Sequence, residues 1–213
     1  TLDRSSAASD VYKRQARNHE AIAEAMYELV RTTHASPTMD EVARRAGVGT
    51  RTVFRQFQDL ESLYRTINER LLREILSTVS LTPPSGELKS DLRALAHRRA
   101  QVFEHMMPFR HATRGLRHTS AFLREQDARL AQMLRSMLEA IVGPHLGEDA
   151  QSTVEVLDVL MSFEAWDRLR ETQKLSAKAA ERAIGDAAFS LATAPTMGTS
   201  PTRTRSPPPT SST

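Results

Sequence analysis

The chain contains no cysteine. That excludes disulfides, thiolate zinc sites and cysteine nucleophiles. It has no window of eighteen consecutive apolar residues, so the sequence offers nothing able to span a membrane. Its N-terminus lacks the basic-then-apolar pattern of a secretory signal, and cytoplasm is the expected compartment. Charge of one sign is also lacking: 29 Lys and Arg face 26 Asp and Glu, a formal net charge of +3. Bulk charge therefore does not single out a polyanion as partner. There is no glycine-rich phosphate loop, no serine in a nucleophile elbow and no paired acid/base constellation, so no enzyme is expected. His97, His105, His111 and His118 are spaced eight, six and seven apart. No two of them make the four-residue pair that puts ligands on one helical face, so neither a metal nor another cofactor is expected.

What is present is helical periodicity and no strand pattern or internal repeat. At 213 residues the chain is long enough for one or two domains with a real core, and the 39% apolar content is lowered by polar ends. Residues 1–15 carry no clear period and read as a disordered or non-native segment. A helix is expected from Ala16, with Ile22, Met26, Leu29 and Val30 on one face, closed off by Pro37. Leu60, Leu63, Tyr64, Ile67, Leu71 and Ile75 form one stripe of a long helix that runs to Val79 and that Asp59 can cap. Thr82-Pro-Pro-Ser-Gly86 is a break, and the domain boundary is placed there, between 16–80 and 81–194. Leu88, Leu92, Leu95, Val102, Phe103 and Met106 then make a helical face ending at Pro108, followed by a shorter helix from Phe109 to Arg117. A longer helix from Ser120 stops at Gly143-Pro144, and two more span Asp149–Glu171 and Ser176–Ala192. The expectation is all-α with about nine helices. Residues 195–213, rich in Pro, Ser and Thr, cannot bury a core and are expected to be disordered.

The most specific stretch runs from Thr38 to Phe57. Met39, Val42, Ala43 and Ala46 fall at helical spacing, and Thr38 with Glu41 forms a capping box. Gly47 ends that helix, because glycine takes a left-handed conformation without a Cβ penalty. Gly49 and Thr50 start the next, with Val53 and Phe57 on its inner face and Thr50, Arg51, Thr52, Arg55 and Gln56 pointing largely outward. Between Val42 and Gln58 lie four arginines (Arg44, Arg45, Arg51, Arg55) and no acid. A short helix tipped with Thr, Arg and Gln suits a major groove, and a local basic patch suits phosphates. Read as charge alone, the patch is equally a solvated basic face.

The segment from Asp149 to Glu171 is apolar on more than one face, with Val154, Leu157 and Met161 in one row and Val156, Leu160 and Phe163 in another. The last helix is rich in alanine (Ala180, Ala183, Ala187, Ala188), with Ile184 and Leu191. Small residues let helices approach closely. Such a pair fits either a four-helix interface between two subunits or a buried helix pair within one.

These features together resemble the TetR (tetracycline-repressor-like) family of transcriptional regulators. The resemblance rests on the segment from about Ala16 to Tyr64: Thr38-x-Asp-Glu-Val-Ala, then Ala-Gly-Val-Gly-Thr-Arg-Thr-Val-Phe-Arg-Gln-Phe, then Leu-Glu-Ser-Leu-Tyr. Beyond it only the helical layout is similar. The resemblance implies an all-α homodimer joined through its last two helices. An N-terminal three-helix domain would bind double-stranded operator DNA, and a C-terminal domain would dimerise and hold a small, largely apolar effector that releases the repressor. The implied DNA contacts are Thr38, Arg44, Arg45, Gly49, Thr50, Arg51, Thr52, Phe54, Arg55 and Gln56, with Arg51, Arg55 and Gln56 reading bases. Three positions depart from the pattern: Phe54 where tyrosine is usual, Leu60 where lysine is frequent, and Thr33 in place of a glycine. They shift anchoring toward Arg51 and Arg55 and keep open a second reading, a helical protein-interaction module with a degenerate DNA-binding head. For the effector the expected lining is Phe103, Met106, Phe109, Phe122, Met133, Met137, Phe163 and Trp166, since methionine and aromatics adapt to apolar ligands. Trp166 is the first choice, because its N–H needs a partner when buried.

Overall fold

A computed structural model describes residues 2–78, 83–146 and 150–194, and at 2–8, 10, 11 and 150 only the helical backbone. Among the described residues the chain forms nine α-helices and no strand. They are α1 (Leu2–Thr33), α2 (Met39–Ala46), α3 (Thr50–Gln56), α4 (Leu60–Thr78), α5 (Leu88–Ala112), α6 (Ala121–Val142), α7 (Ala150–Leu160), α8 (Phe163–Asp167) and α9 (Ala177–Ala192). A 3₁₀ turn at Gly143–His145 follows α6, and a π-helical turn at Arg168–Thr172 follows α8. The tail from 195, residues 79–82 with the expected helix end at Val79, and residues 147–149 with the expected helix start at Asp149 lie outside the described residues.

Helices α1 to α4 build the head. Ile22, Met26 and Val30 of α1, Val42 of α2, Val53 of α3 and Leu63 of α4 are fully buried against one another. Each such side chain contributes about 1.5–3 kcal/mol of burial free energy. α1 runs back through the segment that shows no period in the sequence, but Tyr12 is 74% exposed and the core begins only at Ile22. At its other end Thr33 stays helical, its hydroxyl donating to the Leu29 carbonyl at 2.8 Å. His34 takes the left-handed conformation instead, at φ 54°. The turn that a glycine would make is thus displaced by one residue onto a side chain that bears its steric cost.

The helix-turn-helix is fixed locally. The Thr38 side chain accepts from the Glu41 N–H at 3.2 Å, and the Glu41 carboxylate accepts from the Thr38 N–H at 2.7 Å. Gly47 sits at φ 67° with its N–H on the last carbonyls of α2. The Thr38 N–H, and secondarily its hydroxyl, hold the Glu41 carboxyl below the usual glutamate range. A depressed folded-state pKa gives stability that is present above the unfolded value and lost as pH falls through the folded one. Thr38→Ala is therefore expected to cost about 1 kcal/mol at neutral pH. Its deficit relative to wild type should shrink as Glu41 is protonated in acid. Urea unfolding at two pH values checks this, and a deficit that grows in acid would refute it.

Helices α5 to α9 build the body around Leu92, Leu95, Phe103, Leu138, Leu157, Met161 and Trp166. Two boundaries differ from those expected. First, α5 does not stop at Pro108 but continues to Ala112, and residues 113–119 are turns, not a separate helix. Pro108 is itself buried. It forfeits the backbone hydrogen bond to Glu104 and stays helical because packing on both sides outweighs that loss. Second, the segment expected as one helix from Asp149 to Glu171 breaks at Met161-Ser162. Ser162 caps a new helix, its hydroxyl accepting from the Ala165 N–H at 3.2 Å. Consequently Phe163 lies on α8 and is buried in the body core, while Val156 and Val159 on α7 are exposed.

The small residues of α9 are used within the chain. Ala180, Ile184 and Ala188 are buried, and a Cβ built on Gly185 would lie 3.5 Å from the Arg93 side chain and 3.6 Å from Ala96 of α5. Ala183 and Leu191 stay outward. No helix among the described residues is long and apolar enough to cross a membrane.

The two cores meet at the end of α5. Phe109 and Ala112 are buried in the head core, with Phe109 5.1 Å from the Tyr27 ring, while Val102 and Met106 pack against both cores.

Candidate nucleic-acid interface and ligand cavity

α2 and α3 present one face outward. Val53 and Phe57 anchor α3 inward, and His19 of α1 stacks on Phe57 at 4.5 Å. Of the expected contacts, Thr38, Arg44, Arg45, Gly49, Arg51, Phe54 and Arg55 are exposed; Thr50, Thr52 and Gln56 are half-buried. The Thr50 hydroxyl is already engaged, donating to Asp40 Oδ1 at 2.8 Å, so it ties α3 to α2. The spacing of α3 alone does not reveal that bond.

The four arginines of this face are all exposed and lie within twelve residues of chain. Arg44, Arg45, Arg51 and Arg55 make no ion pair among the described residues. Elsewhere arginines are mostly partnered: Arg70 with Glu24 and Glu74, Arg135 with Glu139 and Glu155, Arg170 with Glu104. Between the exposed arginines Phe54 projects with 54% of its surface free. The face thus offers exposed cations without ion pairs and one apolar ring, chemistry that fits phosphates and a thymine methyl.

A second feature is a cavity of about 540 Å³ between α4, α5 and α6. It lies within the range that holds drug-sized ligands. Its floor is Ile67, Leu71, Leu95, Val102 and Leu134; Leu72, Leu76 and Met133, all partly exposed, form its rim. Met106, Phe109, Met133 and Met137 line it, as the sequence suggests. Phe103, Phe122, Phe163 and Trp166 do not. Phe103 lies in the body core with Phe163 edge-on at 5.6 Å and Trp166 at 6.3 Å. Phe122 lies under the Arg65 guanidinium at 4.1 Å. Trp166 is 1% exposed, and its N–H donates to Glu104 Oε1 at 3.0 Å. The buried partner it needs comes from α5, not from a ligand.

The sequence reading missed Arg99, Arg110 and Arg117, and it gave the apolar stripe of α4 without its place in the cavity wall. One signal was available for Arg99: it falls in the row Leu92, Leu95, Val102, Met106, a lone charge in an apolar helical stripe. The histidines are dispersed. His97 faces Glu181 at 3.1 Å, His105 its own helix carbonyl at Gln101, and His111 Asp167 at 2.6 Å. Among the described residues no three metal-binding side chains come together.

A scan against protein-family models and a search of curated proteins find no match. Among solved structures, the crystal structure of a transcriptional regulator from Rhodococcus sp. Rha1 is similar, with a TM-score of 0.60 and 19% sequence identity over 81% of this chain and 95% of that one. The all-helical chain therefore shares the fold of that regulator over the matched part.

Proposed function

We propose that the chain is a DNA-binding transcriptional regulator of the TetR type, a cytoplasmic homodimeric repressor released from its operator by a small, largely apolar effector. One observation carries the reading: the helix-turn-helix presents four exposed arginines that make no ion pair among the described residues. The Rhodococcus regulator of similar fold supports the class.

In this reading Thr38, Arg44 and Arg45 meet the phosphate backbone, as does the α3 N-terminal segment Gly49–Thr52. Arg51, Phe54, Arg55 and Gln56 enter the major groove. Two recognition helices in a dimer would lie about 34 Å apart, one turn of DNA. The second subunit would cover Val156 and Val159 of α7 and the outward face of α9 at Ala183 and Leu191. The cavity is the effector site, and α4 is the lever, since Ile67, Leu71 and Ile75 touch both the cavity and the head core. An effector releases DNA only if it favours a differently spaced conformation.

A salt series of gel shifts on the DNA upstream of the gene tests the reading. Wild-type affinity should fall steeply with salt. Arg44→Ala should weaken binding on any sequence and reduce the salt slope by about one. A second reading, a protein-interaction module with a degenerate head, draws on the exposed Phe54 ring. Absence of any salt-dependent shift would favour it over the regulator.

A further inference from the structure

The cavity carries its own statement about what it holds. Its apolar wall is interrupted on α5 by Arg99, only 3% exposed. Two of its N–H groups donate to neutral acceptors, Nη1 to the Met161 carbonyl at 2.6 Å and Nη2 to the Leu134 carbonyl. The first of these caps the end of α7 where that helix breaks. The Nε–H, also buried, has no acceptor among the described residues. Arg99 makes no ion pair there either; Asp158 of α7 attracts it from a distance and lies 3.8 Å from Arg135 instead.

The charge on the cavity wall is one-sided, while behind it Arg99 and Arg110 border a second hollow with Asp127, Asp158 and Glu164. Arg98, Arg99, Arg110 and Arg117 line the cavity, against Asp127 as the one carboxylate of its wall. Asp127 already pairs with Arg110 and Arg117, and Arg110 also pairs with Glu164. The Arg117 Nε–H is a second buried donor without an acceptor. Arg98 is half-buried and makes no ion pair among the described residues. Burial pushes the Arg99 guanidinium down to about 10, which leaves it charged at neutral pH. A neutral apolar ligand would strip water from the half-buried Arg98 and leave the buried Arg99 charge uncompensated, and a cationic one would be repelled.

We infer that the cavity takes an apolar molecule tipped with a single oxyanion, a carboxylate first of all, with its head against Arg99 and Arg98 and its body along α4 and α6. This rests on the reading of the cavity as the effector site. It adds that the effector's affinity depends on a negative head, through charge-assisted hydrogen bonds.

Calorimetric titration of the full chain with dodecanoate and dodecylammonium, each below its micelle concentration, and with dodecanol below its solubility limit, tests it. Dodecanoate is expected to bind at least about tenfold more tightly than dodecanol. Arg99→Gln should abolish that preference and leave dodecanol binding unchanged. If Arg99→Gln unfolds by circular dichroism, Arg98→Gln, at a half-buried side chain, takes its place and must weaken dodecanoate selectively. Equal binding of acid and alcohol, or tighter binding of the amine, overturns the anionic head and leaves the effector-site reading standing. Failure of all three to bind overturns both.

Discussion

Trp166→Ala is expected to destabilise the protein by about 3–5 kcal/mol, the range for deleting a large buried aromatic. The indole is fully enclosed beside Phe103, and its N–H satisfies Glu104, which also accepts from Arg170 Nε at 2.7 Å and Nη2 at 3.1 Å. Truncation opens a cavity and removes a donor from a half-buried carboxylate. Trp166→Phe separates the two effects: it retains most of the volume and the Glu104–Arg170 pair, and should cost much less than the alanine change. Urea unfolding gives both numbers. Under the core assignment, Trp166→Phe leaves dodecanoate affinity unchanged. A large loss of ligand affinity with little loss of stability would show that the indole faces the ligand after all.

Arg55→Ala is expected to cut sequence preference, costing about 1–3 kcal/mol of discrimination, or roughly 5–150-fold, between operator and random DNA. The side chain is exposed near the end of α3, beside Phe54, with no ion pair to hold it back. It can therefore reach a base edge without giving up an internal contact. Its truncation leaves the core residues Val53 and Phe57 in place, so thermal stability should barely change. Competition gel shifts with specific and random duplexes measure the ratio. An equal loss on both would mean that Arg55 contacts only phosphate, and would move base reading to Arg51 and Gln56.

The head was legible in the sequence because its determinants are local. The Thr38–Glu41 box, the left-handed Gly47 and the inward Val53–Phe57 pair act within a turn or two of chain, and periodicity reports them. The failures came where a distant element decides. Pro108 reads as a stop, yet helix packing on both of its sides carries α5 through it. Ser162 reads as one more residue of a long helix, yet it caps a new one. The outcome depends on burying Met161 and Phe163 in the same core. Trp166 was placed in the cavity because its N–H needed a partner. That partner, Glu104, is 62 residues away in sequence. The cavity wall was half seen for the same reason: α5 and α6 residues show their stripe, but which stripe faces an opening is a property of three helices together. Arg99 alone broke an apolar row visibly enough to be found by spacing.

The last turns of α5 have a consequence for how the molecule comes apart. Phe109 and Ala112 belong to the core of the helix-turn-helix unit, although they arrive on a helix rooted in the other one. Neither unit can shed its interior without exposing apolar surface of its neighbour. Opening fluctuations of the two are therefore coupled, and the amide protons of α4 and α5 should gain exchange protection together when a ligand fills the space between them. A ligand there would reach the head by two routes, directly through Ile67, Leu71 and Ile75 of α4 on the cavity wall and indirectly through Phe109 and Ala112 of α5, which belong to the head's own interior.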